Sequence, residues 1–545
     1  MQNDLFDVLV IGSGFGGSVS AMRLSQKGYR VAVLERGKRW RPSDFPKTNM
    51  QISKYLWAPL LRCFGPQSIT LLPGVMVLHG MGVGGGSLIY ANTLMKPIAP
   101  VFKDPCWPTG VEDWDQELSP FYDEAKRMLG VTSNVGIFDA ERALKAVGES
   151  LGCGATYKPT EVGVFFGEPD QIVPDPYFNG QGPKRTGCNF CGGCMVGCRF
   201  NAKNTLDKNY LYFAEKWGAR VFAETEADRI EFKNGRYEIE TRVTTSLFSQ
   251  KKGPSFRAKK VIFSAGVLGT VRFLLKNKFE YGTLPDLSPR LGEAVRTNGE
   301  SLLGSTSFDP KKVLSKGIAI GAVIHPDTHT KIEAVKYPEG SNLLRFLGVP
   351  LTPNGNWFTR PIKMVFEIFK QLPRVVKLFL IKDWARSSVI LLVMQSIESQ
   401  MKLSWGCDLR TFFFKGMTGM NEGSTVPSFM PIAQEACLHL SKEIQGYPQN
   451  VISEVLMQTP ATAHILGGCV MGVDAEQGVI NLEHEVHGYP GLYVSDGSVI
   501  PCNLGVNPSL TISAMTERFT SFFPVHPALS LEEYKRRKVV FNERS

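Results

Sequence analysis

The chain has 545 residues, 43% hydrophobic and 21% charged, ordinary globular usage that excludes wholesale disorder and collagen-like sequence. A net charge of +10 is mild over this length and implies no nucleic-acid partner, although it favours anionic cofactors or surfaces. No apolar run reaches the ~18 residues needed to span a bilayer, Met1–Leu5 lacks the features of an export signal, and 11 cysteines are an odd number, so reduced thiols in the cytoplasm are expected.

Residues Asp7–Ile11 (DVLVI) predict a strand running into Gly12-Ser13-Gly14-Phe15-Gly16-Gly17, then a helix to Leu24, then a strand Arg30–Leu34 ending in Glu35. Strand, glycine turn, helix, strand and acid in this order predict a dinucleotide-binding unit. Gly12 permits the tight turn, Gly14 lets a pyrophosphate approach the backbone, and Gly17 lets helix and strand pack closely. Glu35 accepts ribose hydroxyls, and the helix N-terminus attracts phosphate. Lys38 to about Leu72 predicts loops and one helix. A second glycine run, Gly80-Met81-Gly82-Val83-Gly84-Gly85-Gly86-Ser87, leads into Leu88–Asn92. Two such loops suit a dinucleotide lying extended across a domain junction.

Cys188, Cys191, Cys194 and Cys198 have ferredoxin-like spacing, suited to an iron–sulfur cluster, but no proline follows Cys198. Zinc is less natural, because its sites usually join two separated pairs, and buried reduced thiols remain the plain alternative. Ala258–Leu275 repeats strand, glycine turn (Gly266, Gly269) and helix, so the dinucleotide domain is expected to be discontinuous. Arg360–Arg386 interleaves apolar residues with Lys363, Lys370, Arg374, Lys377 and Lys382, which fits either peripheral contact with anionic lipid or a core helix with a basic outer face, interrupted at Pro373. In the last third come His464 before Gly467-Gly468, Asp496-Gly497, and Asn507-Pro508-Ser509 opening a helix whose free N–H groups make an anion or carbonyl site.

Four blocks, Asp7–Glu35, Gly82–Asn92, Val261–Leu275 and His464–Arg518, together resemble the glucose–methanol–choline (GMC) oxidoreductase family, in particular its bacterial cholesterol-oxidase branch. The resemblance implies an α/β fold, with a discontinuous Rossmann-like FAD domain (1–96, 187–299 and 456–525) and a substrate domain of antiparallel sheet and helices (97–186 and 300–455). A basic tail, 526–545, follows. FAD would be held by Gly12, Gly14, Gly17, Glu35, Gly82, Gly84, Gly85, Ser87, Asn92, Gly266, Asp496, Gly497, Pro508 and Ser509.

The implied chemistry is oxidation of a sterol or another bulky alcohol to the ketone, with oxygen or another electron acceptor. An imidazole suits the hydroxyl proton because both its protonation states are accessible near neutral pH; the family places it at His464. The cholesterol-oxidase branch pairs it with asparagine, here Asn507. Ile465 replaces the proline usual after that histidine, which affects only loop stiffness. Glu333 matches the carboxylate that isomerises the Δ5 double bond, and is expected to face an apolar cavity. Other histidines, including His79, His325, His329 and His487, are expected to be structural, with His79 the residue to inspect for covalent flavin attachment. Two alternatives stand beside this reading: a dehydrogenase of another bulky alcohol using an iron–sulfur relay at the four cysteines, and a flavin- and membrane-binding protein without turnover.

Overall fold

The apolar runs at Leu5–Ile11, Val31–Leu34 and Phe256–Phe263 assemble into the centre of one sheet, because strands buried on both faces must be near-continuously hydrophobic. Leu5–Ile11 pairs in parallel with both of the others. Arg220–Phe222 extends one side and Leu492–Val494 lies beside the end of Phe256–Phe263, both in parallel. An antiparallel hairpin, Thr225–Lys233 and Arg236–Val243, completes the seven strands. Helices Phe15–Gln26, Gly266–Phe279 and Ser509–Ser521 pack around this layer. The computed structural model describes residues 5–246, 251–407, 415–422 and 427–542.

A second sheet is antiparallel throughout, in the order Gly348–Pro350, Gly446–Val451, Glu300–Ser307, Ser388–Gln395, Thr330–Val335, Ile320–Ile324, Lys158–Pro159. Helices Asp139–Ser150 and Pro431–Glu443 cover one face through Leu144, Val147, Ala436 and Leu440. The other face looks toward the dinucleotide layer. The expected α/β fold, with a discontinuous Rossmann-like part and an antiparallel substrate sheet, is therefore present.

Three segments depart from the sequence-based division. Helix Trp114–Leu129 packs on Ser509–Ser521, buries Leu118 and Tyr122 in the dinucleotide-side core, and donates a hydrogen bond from the Tyr122 hydroxyl to Thr511 Oγ1 at 2.8 Å. The hairpin Gln400–Gly406 and Gly416–Glu422 delivers Met401 and Leu403 to that core. Residues 526–542 of the basic tail are packed on the protein: they form a helix, Leu531–Arg536, bury Val539, and hydrogen-bond Asn542 N to Tyr177 O at 2.9 Å. In each case an apolar stripe decides the partner, and net charge along the chain carries no information about it.

The Arg360–Arg386 segment divides at Gln371 into helices Thr359–Lys370 and Leu372–Leu380, with Pro373 in the first turn of the second, where its missing N–H is not needed. Met364 and Leu378 point inward, while Phe366, Phe369 and Leu380 are 65%, 71% and 76% exposed. Among the described residues no helix is long and apolar enough to cross a membrane.

Candidate active site

A cavity of about 810 Å³ runs from the first glycine loop across the junction to the antiparallel sheet. The three glycines of the loop divide their tasks as their spacing suggests. A Cβ on Gly12 would stand 2.2 Å from Ser264 O, and one on Gly17 would stand 2.0 Å from Gly12 O, so both are required by chain packing on chain. At Gly14 a Cβ would meet nothing within 4 Å; the open side is the cavity. Helix Phe15–Gln26 begins there without a side-chain cap, leaving backbone N–H groups for an anion.

Glu35 is buried at the cavity wall, held by Ser13 N at 3.2 Å, Ser13 Oγ at 2.7 Å and Gly37 N at 2.7 Å, and burial raises its pKa. The second loop touches the first: a Cβ on Gly85 would lie 2.6 Å from Gly14 Cα, and Gly84 N donates to Ser13 Oγ at 3.1 Å. Gly266, Asp496, Gly497, Pro508 and Ser509 line the same cavity. Asp496 accepts from Ser498 N at 2.8 Å, Ser498 Oγ at 2.6 Å and Thr270 Oγ1 at 2.6 Å.

Gly82, Gly84 and two further residues assigned to the cofactor stand just behind this wall. A Cβ on Gly82 would meet Lys38 O at 2.8 Å. Ser87 spends its hydroxyl closing the loop, donating to Gly84 O at 2.6 Å and accepting from Leu206 N at 3.1 Å. Asn92, with φ of 71°, sets its side chain against the Cys194 thiol. The open cradle at Gly14 and Gly266 and the pinned Glu35 fit FAD.

The catalytic corner is built by segments far apart in sequence. His464 Nδ1 is hydrogen-bonded to Glu300 Oε1, and Glu300 Oε2 accepts from Ala463 N at 2.9 Å. A carboxylate can only accept, so Nδ1 carries the proton and Nε2 is left as the ring's acceptor. His464 N donates to Thr462 Oγ1 at 2.9 Å, and that hydroxyl donates to Thr297 O at 3.0 Å, which fixes the loop. His464, Glu300 and Asn507 all line the cavity.

Behind Asn507 stands a buried ion pair. Lys331 Nζ lies 2.7 Å from Glu333 Oε1 and 3.4 Å from Asn507 Oδ1, while Asn507 Nδ2 donates to Glu333 Oε2 at 3.3 Å. The expectation that Glu333 faces an apolar cavity is thereby corrected: it contacts a cation and an amide and is not on the cavity wall. An ammonium has only protons to offer, so it fixes which end of the Asn507 amide faces it.

Residues 183–280 and 410–516 match family models described as GMC oxidoreductase, and residues 10–41 match one described as NAD(P)-binding Rossmann-like domain. The chain is 41% identical to a cholesterol oxidase of Acinetobacter baumannii, covering 98% of this chain and 97% of that protein. It is 44% identical to a cholesterol oxidase of Mycobacterium tuberculosis, covering 95% and 91%. The chain belongs to the GMC oxidoreductase family. A pyridoxine 4-oxidase from Mesorbium loti, 14% identical with a TM-score of 0.61 over 95% of this chain and 99% of that one, shares the fold.

As a GMC member the chain is an FAD-dependent oxidoreductase acting on CH–OH groups. Its substrate half of the cavity is walled by Leu302, Ile320, Val335, Tyr337, Ile390 and Leu392. His79, expected to be structural, also lines the cavity; Nε2 lies 2.9 Å from Thr70 Oγ1, and burial lowers its pKa to about 4. The four cysteines line one small pocket beside Lys203, whose Nζ donates to Tyr90 O at 2.7 Å and Cys194 O at 2.9 Å. Phe190 N approaches Cys188 Sγ at 3.4 Å. Among the described residues no three His, Cys, Asp or Glu groups converge to hold a single metal ion. Glu300 and Lys331 escaped the sequence reading: Glu300 meets His464 164 positions away, and Lys331, two residues before Glu333, was signalled only by their i, i+2 spacing along one strand.

Proposed function

We propose that this GMC oxidoreductase oxidises the 3β-hydroxyl of a sterol or steroid to the ketone, with oxygen as electron acceptor. The observation that carries the reading is the Glu300–His464 pair standing with Asn507 where the cofactor cradle opens into an apolar cavity; the names of the two cholesterol oxidases above support it. His464 Nε2 accepts the hydroxyl proton, and Glu300 stabilises the imidazolium that results. Asn507 donates its second amide N–H to the substrate oxygen, steadied by Lys331 and Glu333. FAD, which the cradle at Gly14, Glu35 and Gly266 would hold, would supply the hydride acceptor. Tyr337, Trp384 and the sheet face wall the same space against water.

Two finer points belong to this reading. Exposed Trp357, Phe366, Phe369 and Leu380, flanked by Lys363, Lys370, Arg374 and Lys377, would seat the helix pair on an anionic bilayer, the source of a sterol. Arg345, beside the cavity-lining Leu344 and Leu347, hydrogen-bonds Phe379 O at 3.2 Å, joining that surface to the cavity's rim. Eleven cysteines without a disulfide support a reducing, cytoplasmic setting.

A second reading concerns the acceptor. The shared pocket of Cys188, Cys191, Cys194 and Cys198, with a backbone N–H on one sulfur, favours an iron–sulfur relay to a quinone or protein. Iron and sulfide analysis of fresh protein decides between relay and oxygen. A flavoprotein without turnover is disfavoured by the intact Glu300–His464 pair. The main test is an anaerobic visible spectrum before and after a 3β-hydroxysterol: flavin bleaching is expected, and an unchanged flavin spectrum would overturn the sterol assignment.

A further inference from the structure

Oxidation at C3 of a Δ5-3β-hydroxysterol removes the hydroxyl proton and a hydride and leaves the C5–C6 double bond where it was. Moving that bond into conjugation with the new ketone is a separate reaction, in which C4–H breaks, C6–H forms and the oxidation state is unchanged. It needs a proton donor at the C3 oxygen and a base that takes the proton from C4 and returns it at C6. The catalytic corner supplies the donor, because His464 Nε2 holds the hydroxyl proton once oxidation is complete. It does not supply the base, since the other ring nitrogen is committed to Glu300.

The remaining ionisable groups near this space are each occupied or misplaced. Glu300 is 1% exposed and spends both oxygens, one on His464 Nδ1 and one on Ala463 N. The other carboxylates of the cavity wall, Glu35, Glu226, Asp228 and Asp496, stand on strands of the dinucleotide sheet or on the turns that follow them, in the cofactor's half. Burial lowers His79 to about 4, which makes it a weak base, and pushes Tyr337 up to about 12, so that it keeps its proton. Glu333 shares a strand face with the cavity-lining Val335 but is itself 0% exposed and off the wall. Its two oxygens are engaged, by Lys331 Nζ at 2.7 Å and by Asn507 Nδ2 at 3.3 Å, and it is Asn507 that reaches the cavity.

We infer that this protein oxidises a Δ5-3β-hydroxysterol without isomerising it and releases the unconjugated Δ5-3-ketone; the inference rests on the sterol reading above. Among the described residues, the substrate half of the wall holds no carboxylate free to carry a proton from C4 to C6. The product is then consumed by a separate allylic isomerase, an enzyme whose own base performs that proton transfer and which needs no redox cofactor.

The test uses the FAD-loaded full chain. A single anaerobic turnover with cholesterol is expected to reduce the flavin and yield cholest-5-en-3-one, identified by chromatography of the extract. The same ketone added to the protein should gain conjugated-enone absorbance no faster than in buffer at the same pH. Accumulation of cholest-4-en-3-one in step with flavin reduction, or faster conjugation of the added ketone than in buffer, would overturn the inference, and loss of that acceleration in Glu333→Gln would assign it to Glu333. Absence of flavin reduction by every 3β-hydroxysteroid would instead overturn the sterol reading and the inference with it.

Discussion

Replacing Glu300 with glutamine tests the catalytic corner most directly. Both carboxylate oxygens are in use: Oε1 accepts from His464 Nδ1 and Oε2 from Ala463 N at 2.9 Å. Glutamine keeps the shape but has one oxygen for two donors, and the side chain is 1% exposed, so water does not make up the loss. An unsatisfied buried donor costs about 1–3 kcal/mol, and losing the charge that steadies the imidazolium costs about 1.5–3 kcal/mol more. If the glutamine amide turns its NH₂ toward Nδ1, the ring is also driven to the tautomer that carries its proton on Nε2, which cannot accept the hydroxyl proton. The combined loss is roughly 3–6 kcal/mol in the transition state, or about 10²- to 10⁴-fold in kcat. Stopped-flow reduction of the flavin under anaerobic conditions measures it, with retained FAD absorbance showing that the cradle is intact. A Glu300→Gln rate within threefold of the native protein would refute the assignment of His464 as the base held by Glu300.

Three other outcomes are expected. Gly14→Val adds side-chain atoms where the protein has none within 4 Å, so the chain should fold with apo-protein melting near native yet purify without flavin; flavin retention would show that Gly14 does not face the cofactor. Lys331→Met leaves Glu333 buried without its cation and should cost about 3 kcal/mol in urea unfolding, most of it recovered in the double variant with Glu333→Gln; additive losses would deny the coupling. Burial raises the Glu454 carboxyl from 4.5 to about 7, so the folded state holds that proton more tightly. The associated stability is complete below pH ~4.5 and lost as pH rises toward 7, an effect of up to about 3 kcal/mol. Glu454→Gln should therefore gain on the native protein between pH 5 and pH 8 in melting experiments, and parallel pH profiles would count against it.

Asp7–Glu35, the run at Gly80–Ser87 and the segments around His464 and Asn507 were legible in the sequence because their information is local. Strand runs, glycines at required spacings and an acid after the second strand each obey constraints set within some thirty residues. The dinucleotide layer and its discontinuity follow from such signals; the imidazole–asparagine pair is what the resemblance to the family implied. Other features depend on which side chains the tertiary fold brings together, often from more than a hundred positions apart. Glu300 becomes the partner of His464 only when the first long strand of the antiparallel sheet ends beside Ala463. Glu333 was read as a cavity carboxylate, yet Lys331, two residues earlier on the same face of its strand, turns it into half of an ion pair behind Asn507. Gln449 Oε1 finds its donor only in Thr306, 143 positions away on the neighbouring strand. Local sequence determines which elements form and which backbone turns admit a phosphate; the pairing of buried charges and hydrogen bonds is decided by register between strands, because a buried polar group must find its partner wherever the fold places one.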